Sequence, residues 1–234
     1  MKKNLVFQKV LTWIVTLIVP AVLALTVVRI ILNPWFLEFE YRTPNFPPDE
    51  FGFTLQDRLH YSRIALDYLL NNAGISYLGD LHFPEGQQAP SISCQLMTDC
   101  TRLYNDRELK HMVDVKSTVQ AALKVWYGSL VVLAGLGIWA WIGKWWLNFR
   151  RGLSRGGFLT VVFVGLIIVL ALTAFDTLFV AFHDVFFAPG TWTFYYSDTL
   201  IRLFPERFWQ DTFIIVGSLT AAMGLALGFG LKKS

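Results

Sequence analysis

Four stretches of this chain carry almost no charge, and each is about as long as a helix must be to cross a bilayer. Val10 to Val28 lies between Lys9 and Arg29, and Val125 to Gly143 between Lys124 and Lys144. Gly156 to Phe175 lies between Arg155 and Asp176 and stays apolar to Phe182 apart from that aspartate. Thr212 to Leu231 lies between Asp211 and Lys232. A helix of roughly 20 apolar residues covers the ~30 Å of hydrocarbon in a bilayer. With no water there, the backbone must satisfy its own hydrogen bonds, which makes such stretches helices. Composition agrees: 54% of the 234 residues are hydrophobic and only 16% charged, too apolar for a soluble domain of this size. The alternative is a two-span protein with two buried helices, against which the length of all four runs argues. The first run exceeds the roughly 7–15 residues of a signal-peptide core and is read as an uncleaved span, with Pro20 tolerated inside it.

Charge sets the expected orientation. Lys2, Lys3 and Lys9 precede the first run, Lys144, Arg150, Arg151 and Arg155 lie between the second and third, and Lys232 and Lys233 follow the fourth, with no acidic residue in any of these segments. The positive-inside rule places all three in the cytoplasm. The expectation is an all-α polytopic membrane protein with four transmembrane helices, a mixed extracytoplasmic cap and both termini cytoplasmic. Its predicted segments are a first span at 1–32, a cap at 33–116, a second span at 117–143 and a basic cytoplasmic loop at 144–157. A third span at 158–182, a second outer loop at 183–211 and a fourth span with its tail at 212–234 follow.

Within the cap, "NPWFLEFEYRTPNFPPDEFGF" has the prolines and alternating aromatics of extended strand or loop. An amphipathic helix is expected over 54–73. Thr54 and Asp57 have capping-box spacing, Leu55, Leu59, Leu66, Leu69 and Leu70 form the stripe, and Gly74 is the stop. Cys94 and Cys100, the only cysteines, form either a disulfide or two free thiols. They are too few for a metal site, and no metal-ligand spacing appears elsewhere. "NDRELKHMVDVKSTVQAAL" runs without Gly or Pro into the second span and reads as one long helix. No serine-nucleophile elbow, phosphate-binding glycine pattern or nucleic-acid motif is present.

All four histidines fall in the segments assigned to the outside. His60 and His82 read as solvated or interfacial side chains. His111 stands about nine residues, roughly 13 Å of helix, before the bilayer edge, and His183 sits at the outer end of the third span. Both reach the depth of lipid ester groups. Glu108 and Asp114 flank His111 at i−3 and i+3, where a carboxylate can hold the ring. Asp176, the acid inside the third span, is costly there and marks a pairing point, for which Arg202 is a candidate partner, or else a partner for a substrate headgroup. Trp192, Tyr195, Tyr196 and Trp209 are interfacial aromatics, which serve either as an aromatic belt or as an apolar wall around an acyl-bearing substrate. Ser197 is expected to cap a short helix ending before Pro205. Asp184 and the segment 83–100 receive no role. Taken alone, these residues serve equally as a polar network holding a cap to a bundle or as an acid–base site.

The blocks "LKHMVDVK" and "FDTLFVAFHDVFF…W…LIRLFPERFW" resemble the lipoprotein intramolecular transacylase family of bacterial integral membrane proteins, and "DRLHYSRIALDYL" is similar to a further family segment. The resemblance implies four spans with an outer cap in the cell membrane. It also implies a diacylglyceryl lipoprotein substrate whose sn-2 acyl chain moves from the glyceryl group to the α-amino group of the N-terminal cysteine, giving the lyso-form. Two histidines acting as acid and base map onto His111 and His183. Asp114, Asp176, Arg202 and Tyr196 are then supporting residues, and Phe182, Phe186, Phe187 and Trp192 the substrate wall. No cofactor, metal or nucleic acid is expected, and the partners are the lipoprotein and membrane lipid around a monomer. Which histidine is base and which is acid stays open. Two other readings stand beside this one: a non-enzymatic membrane partner or chaperone, and a different lipid acyl hydrolase or transferase. A two-histidine reaction requires the rings to converge within about 10 Å.

Overall fold

The computed structural model describes residues 2–231, with side chains described from residue 6. The expected cytoplasmic lysines Lys2, Lys3, Lys232 and Lys233 therefore lie outside the described side chains. The described chain is almost entirely helical, with one isolated bridge between His82 and Arg102. In chain order the helices are α1 (Lys2–Ile31), α2 (Pro34–Tyr41), α3 (Leu55–Leu70), α4 (Ser76–Gly79), α5 (Ser91–Cys94), α6 (Asp106–Ile142), α7 (Trp146–Thr173), α8 (Phe175–Phe186), α9 (Thr199–Leu203) and α10 (Glu206–Gly230). Four of them, α1, α6, α7 and α10, are long and apolar enough to cross a membrane, so this is a multi-pass membrane protein.

At 1.5 Å per residue, the 37 residues of α6 extend about 55 Å, well beyond one hydrocarbon thickness. Asp106, Arg107, Glu108, Lys110, Asp114 and Lys116 crowd its first three turns. So many charges do not share hydrocarbon, and the membrane-spanning part of α6 begins near Ser117.

The chain divides into two compact units. The first comprises Met1–Ile30, Ala122–Phe175 and Phe213–Ser234, and holds α7 and the greater part of α1, α6 and α10. Small residues let these helices approach closely, as lipid-embedded packing requires. A Cβ at Gly156 would lie 2.5 Å from the Val19 Cβ of α1, and one at Gly157 would lie 2.5 Å from the Gly224 carbonyl oxygen of α10. Hydroxyls add polar stitches: Thr16 donates to the Gly152 carbonyl at 3.2 Å and Ser154 to the Gly228 carbonyl at 2.8 Å. The Trp126 indole N–H donates to Thr26 Oγ1 at 3.0 Å. Leu11, Val15, Val19, Leu23, Ala140, Trp145 and Phe149 form the buried core, while Leu17, Val131, Trp141 and Val162 remain exposed on the faces a bilayer would cover.

The second unit comprises Ile31–Ala121 and Asp176–Thr212. Its core gathers Phe53, Tyr61, Tyr68, Leu78, Phe83, Leu103, Tyr104, Leu200 and Leu203. Cys94 and Cys100 are disulfide-bonded, which resolves the alternative the sequence left open. The buried Arg202 guanidinium clamps Asp49 through Nε at 3.1 Å and Nη2 at 3.0 Å, and lies 3.6 Å from the centre of the Phe53 ring. Arg58 donates to the Arg202 carbonyl at 3.0 Å and to that of Pro47 at 2.7 Å.

Several local expectations change. The first part of the stretch from Asn33 is a helix, Pro34–Tyr41, and only the remainder, residues 42–53, is the expected loop. Pro34 occupies the first turn, where its missing N–H costs nothing, and the Asn33 side chain caps by accepting from Trp35 N. α3 has the expected reciprocal Thr54–Asp57 capping box but ends at Leu70, because Asn71 turns extended and its side chain accepts from Ala73 N. Leu55 and Leu70 are exposed, and α3 buries Arg58, Leu59, Tyr61, Ser62, Ala65, Leu66 and Tyr68. Most of the basic stretch 144–157 is the start of α7 and not a loop. The single third span expected over 158–182 is broken at Ala174 (φ −151°, ψ 51°), so that α8 starts as a separate helix.

Gly157 supplies a test of the packing. Gly157→Ala must force α7 and α10 apart at backbone atoms, at a cost of about 1–3 kcal/mol for an overpacked contact. Gly165 has open space around it, and Gly165→Ala should leave stability unchanged or raised. Thermal unfolding of both variants in detergent checks this, and equal melting temperatures would refute the close approach.

Candidate functional site

α6 begins with a sequence built to cap it. Asn105 accepts from the N–H groups of Arg107 and Glu108 at 3.0 and 3.1 Å, and Glu108 reaches back to accept from Asn105 N at 2.9 Å. This is the reciprocal capping box, and it aims the first turn of α6 at the segment around α9. The other Glu108 oxygen accepts from Leu200 N at 2.7 Å. Asp198, fully buried, accepts from the Asn105 side-chain amide at 3.1 Å, from Arg107 at 3.2 Å and from Tyr195 N at 2.9 Å. Burial pushes the Glu108 carboxyl up to about 8, opposed by the two backbone N–H bonds and by Arg107.

One turn further along α6, His111 meets His183 near the end of α8. The ring centroids are 6.2 Å apart and the planes 23° from parallel, inside the convergence a bridging substrate requires. Both residues are buried, at 8% and 9% exposure. Aromatic rings surround the pair. Phe187 is 4.9 Å from His111 and 5.6 Å from His183, and Phe194 is 5.3 Å from His111. Phe179, Trp192 and Phe182 lie 4.0, 4.8 and 5.6 Å from His183.

This setting fixes protonation. His183 Nδ1 lies 2.8 Å from the Phe179 carbonyl. A carbonyl only accepts, so Nδ1 carries the hydrogen and Nε2 of the neutral ring keeps its lone pair. His111 Nδ1 is buried and has no hydrogen-bond partner among the described residues. Burial, and then the neighbouring His183, hold the His111 imidazole down at about 4. Burial also lowers His183, against the Phe179 carbonyl and Asp184. Near pH 7 the pair is neutral and can take up a proton, but two imidazolium charges at this separation in an apolar sheath disfavour one another.

The other expected site residues fall differently. Phe182, Phe187 and Trp192 stand against His183, and Phe186 lies behind them, 4.9 Å from Phe182. Asp114 is exposed and Glu108 bonds backbone N–H groups, so among the described residues no carboxylate holds the His111 ring. Asp176 is exposed in the first turn of α8, where a negative charge suits the positive end of the helix dipole; the break at Ala174 removes it from a continuous span. Arg202 belongs to Asp49 and the core of the second unit, not to Asp176. Tyr196 is 81% exposed and does not face the pair. Asp198, not Ser197, stands at the start of α9, while Ser197 is buried against Ser93 at 2.8 Å. Phe179, Phe194, Asn105 and Asp198 were missed. The N-x-x-E spacing of Asn105 and Glu108 and the i−4 position of Phe179 were legible signals; Phe194 and Asp198 had none.

The family described as "Lipoprotein intramolecular transacylase Lit" matches residues 10–209. The chain belongs to this family. A protein of Aquifex aeolicus (strain VF5), described as uncharacterized, is 28% identical over 229 residues, covering 95% of this chain and 93% of that one. Among solved structures, the membrane-integral lipoprotein intramolecular transacylase of Bacillus cereus shares 21% identity with a TM-score of 0.66, over 96% of this chain and 92% of that chain. The same protein with a histidine-to-alanine mutation gives 21% and 0.64, covering 98% and 96%. At this identity the likeness to the transacylase structures concerns the fold: a membrane-integral helical architecture that this chain shares along nearly its whole length.

The neutral state is measurable. In ¹⁵N NMR of the histidine-labelled protein in detergent, His183 should show the Nδ1–H tautomer, and His111 should stay neutral until the pH approaches about 4. An unfolded histidine binds its proton near pH 6.5. Between those values the unfolded chain holds more protons, so stability falls as pH drops through the window. A His111 imidazolium at pH 6 would refute the assignment.

Proposed function

We propose that this chain transfers the sn-2 acyl chain of a diacylglyceryl lipoprotein to the α-amino group of its N-terminal cysteine, with His111 and His183 as the acid–base pair. One observation carries the reading: two buried imidazoles 6.2 Å apart in an aromatic enclosure, in a chain of the transacylase family. Donor ester and acceptor amine belong to one molecule, so the task is to fold that molecule until they meet and to manage one proton. His183 Nε2, left with its lone pair by the Phe179 bond, takes the proton from the amine. The nitrogen–carbonyl bond forms, the bond to the glyceryl oxygen breaks, and the proton held on His183 is relayed to that oxygen by way of His111, which accepts one proton as it gives up another, so both rings end neutral. Written so, the reaction calls on no cofactor. Phe179, Phe182, Phe187, Phe194 and Trp192 keep water from the ester, which favours transfer over hydrolysis.

The charge pattern supports a cell-membrane protein whose segments 33–116 and 183–211 form an extracytoplasmic cap, with both termini in the cytoplasm. Both histidines come from one chain, so a monomer suffices.

The test is co-expression with a reporter lipoprotein, followed by mass spectrometry of its N-terminal peptide. Substrate and product are isomers, so fragmentation must locate the acyl group on the α-nitrogen. His111→Ala and His183→Ala should each lower N-acylation by about 10²-fold or more while leaving the protein in the membrane. Full activity in both variants would remove the histidine roles. Loss of an acyl mass without N-acylation would point to a hydrolase.

A further inference from the structure

All 17 acidic residues lie between Glu38 and Asp114 or between Asp176 and Asp211. The unit of membrane-spanning helices therefore contains no carboxylate side chain at all. Yet within that unit a cavity of about 320 Å³ is lined by Lys9, Thr12 and Trp13 of α1 and by Asn148, Arg151 and Arg155 of α7, a volume in the range of small-ligand sites. The spacing explains the convergence. Positions i, i+3 and i+4 share one face of α1, and i, i+3 and i+7 share one face of α7. The polar groups between the cations are engaged: Thr12 donates to the Gln8 carbonyl at 2.8 Å and Asn148 to Gln8 Oε1 at 2.9 Å. Arg155 stacks over Trp13 at 5.8 Å. Lys9, Arg151 and Arg155 take part in no ion pair among the described residues.

Three converging cations without an internal counterion call for an external anion, and two guanidinium groups suit a phosphate, whose oxygens they engage in pairs. Val10, Ile14 and Leu17 of α1 and Leu147 of α7 are exposed apolar neighbours, which suit acyl chains. We propose that this cavity is a site for the phosphate headgroup of an anionic phospholipid, held by Lys9, Arg151 and Arg155. The site is independent of the histidine pair and its chemistry.

Native mass spectrometry of the full-length protein from micelles containing equal phosphatidylglycerol and phosphatidylcholine tests this. Wild type should retain phosphatidylglycerol by about tenfold or more, in line with three basic contacts to an anionic lipid. Lys9→Gln/Arg151→Gln/Arg155→Gln should bring the two lipids to parity. Arg29→Gln/Lys124→Gln/Lys144→Gln, which removes equal charge elsewhere, should keep the preference. Equal retention of both lipids by wild type would overturn the site without recourse to any variant. So would a preference that survives the first triple variant, or one that falls equally in the second. A lipid-free arm with inorganic phosphate separates the sources: phosphate adducts lost in the first variant, without phosphatidylglycerol retention in wild type, would overturn the lipid assignment in favour of a soluble anion.

Discussion

Hydrocarbon cannot solvate a carboxylate or an open backbone hydrogen bond, and most of this structure follows from that exclusion. The four long helices close their own backbone bonds, and the parts of them that make up the first unit hold no Asp or Glu. Without a hydrophobic drive between helices in lipid, that unit packs through small residues and hydroxyls: Gly152, Gly156, Gly157, Gly224 and Gly228, with Thr16 and Ser154. Every acid, and with it the disulfide, the buried Asp49–Arg202 pair and the histidine pair, belongs to the second unit.

In that unit, the histidine pair rests on positioning. The capping box at Asn105 and Glu108 starts α6 and, through Asp198 and Leu200 N, holds the segment that presses Phe194 against His111. The apolar sheath that walls the pair also keeps both rings neutral, because removing water penalises the charged imidazolium more than the neutral ring. A neutral pair with one tautomer fixed by the Phe179 carbonyl is suited to moving a single proton between two atoms of one substrate. A pair held by carboxylates, as Glu108 and Asp114 suggested, would be more basic and more often charged.

Those two acids show how a sequence reading goes astray. The i−3 and i+3 positions put them within reach of His111, but reach is not contact: Glu108 was needed by backbone N–H groups, and Asp114 faces outward. Asp176 looked like a charge buried in a span because hydropathy does not register a helix break, and the turn at Ala174 made it the acidic first turn of α8. Arg202 offered a free cation to any partner in range. Its partner, Asp49, lay far away in the chain, in a stretch whose prolines argued against regular structure.

By itself, the sequence determined the four membrane-spanning helices, their boundary charges and the two histidine-bearing blocks, because length, hydropathy and charge are local properties that lipid reads directly. It also carried the capping signals at Thr54 and Asn105, which act within four residues. Only the tertiary structure decided that His111 and His183 stack 6.2 Å apart, that Phe179 fixes one tautomer, and which acids stand aside. Those outcomes depend on contacts between distant parts of the chain and on competition for each polar partner, and no periodicity records which contact wins.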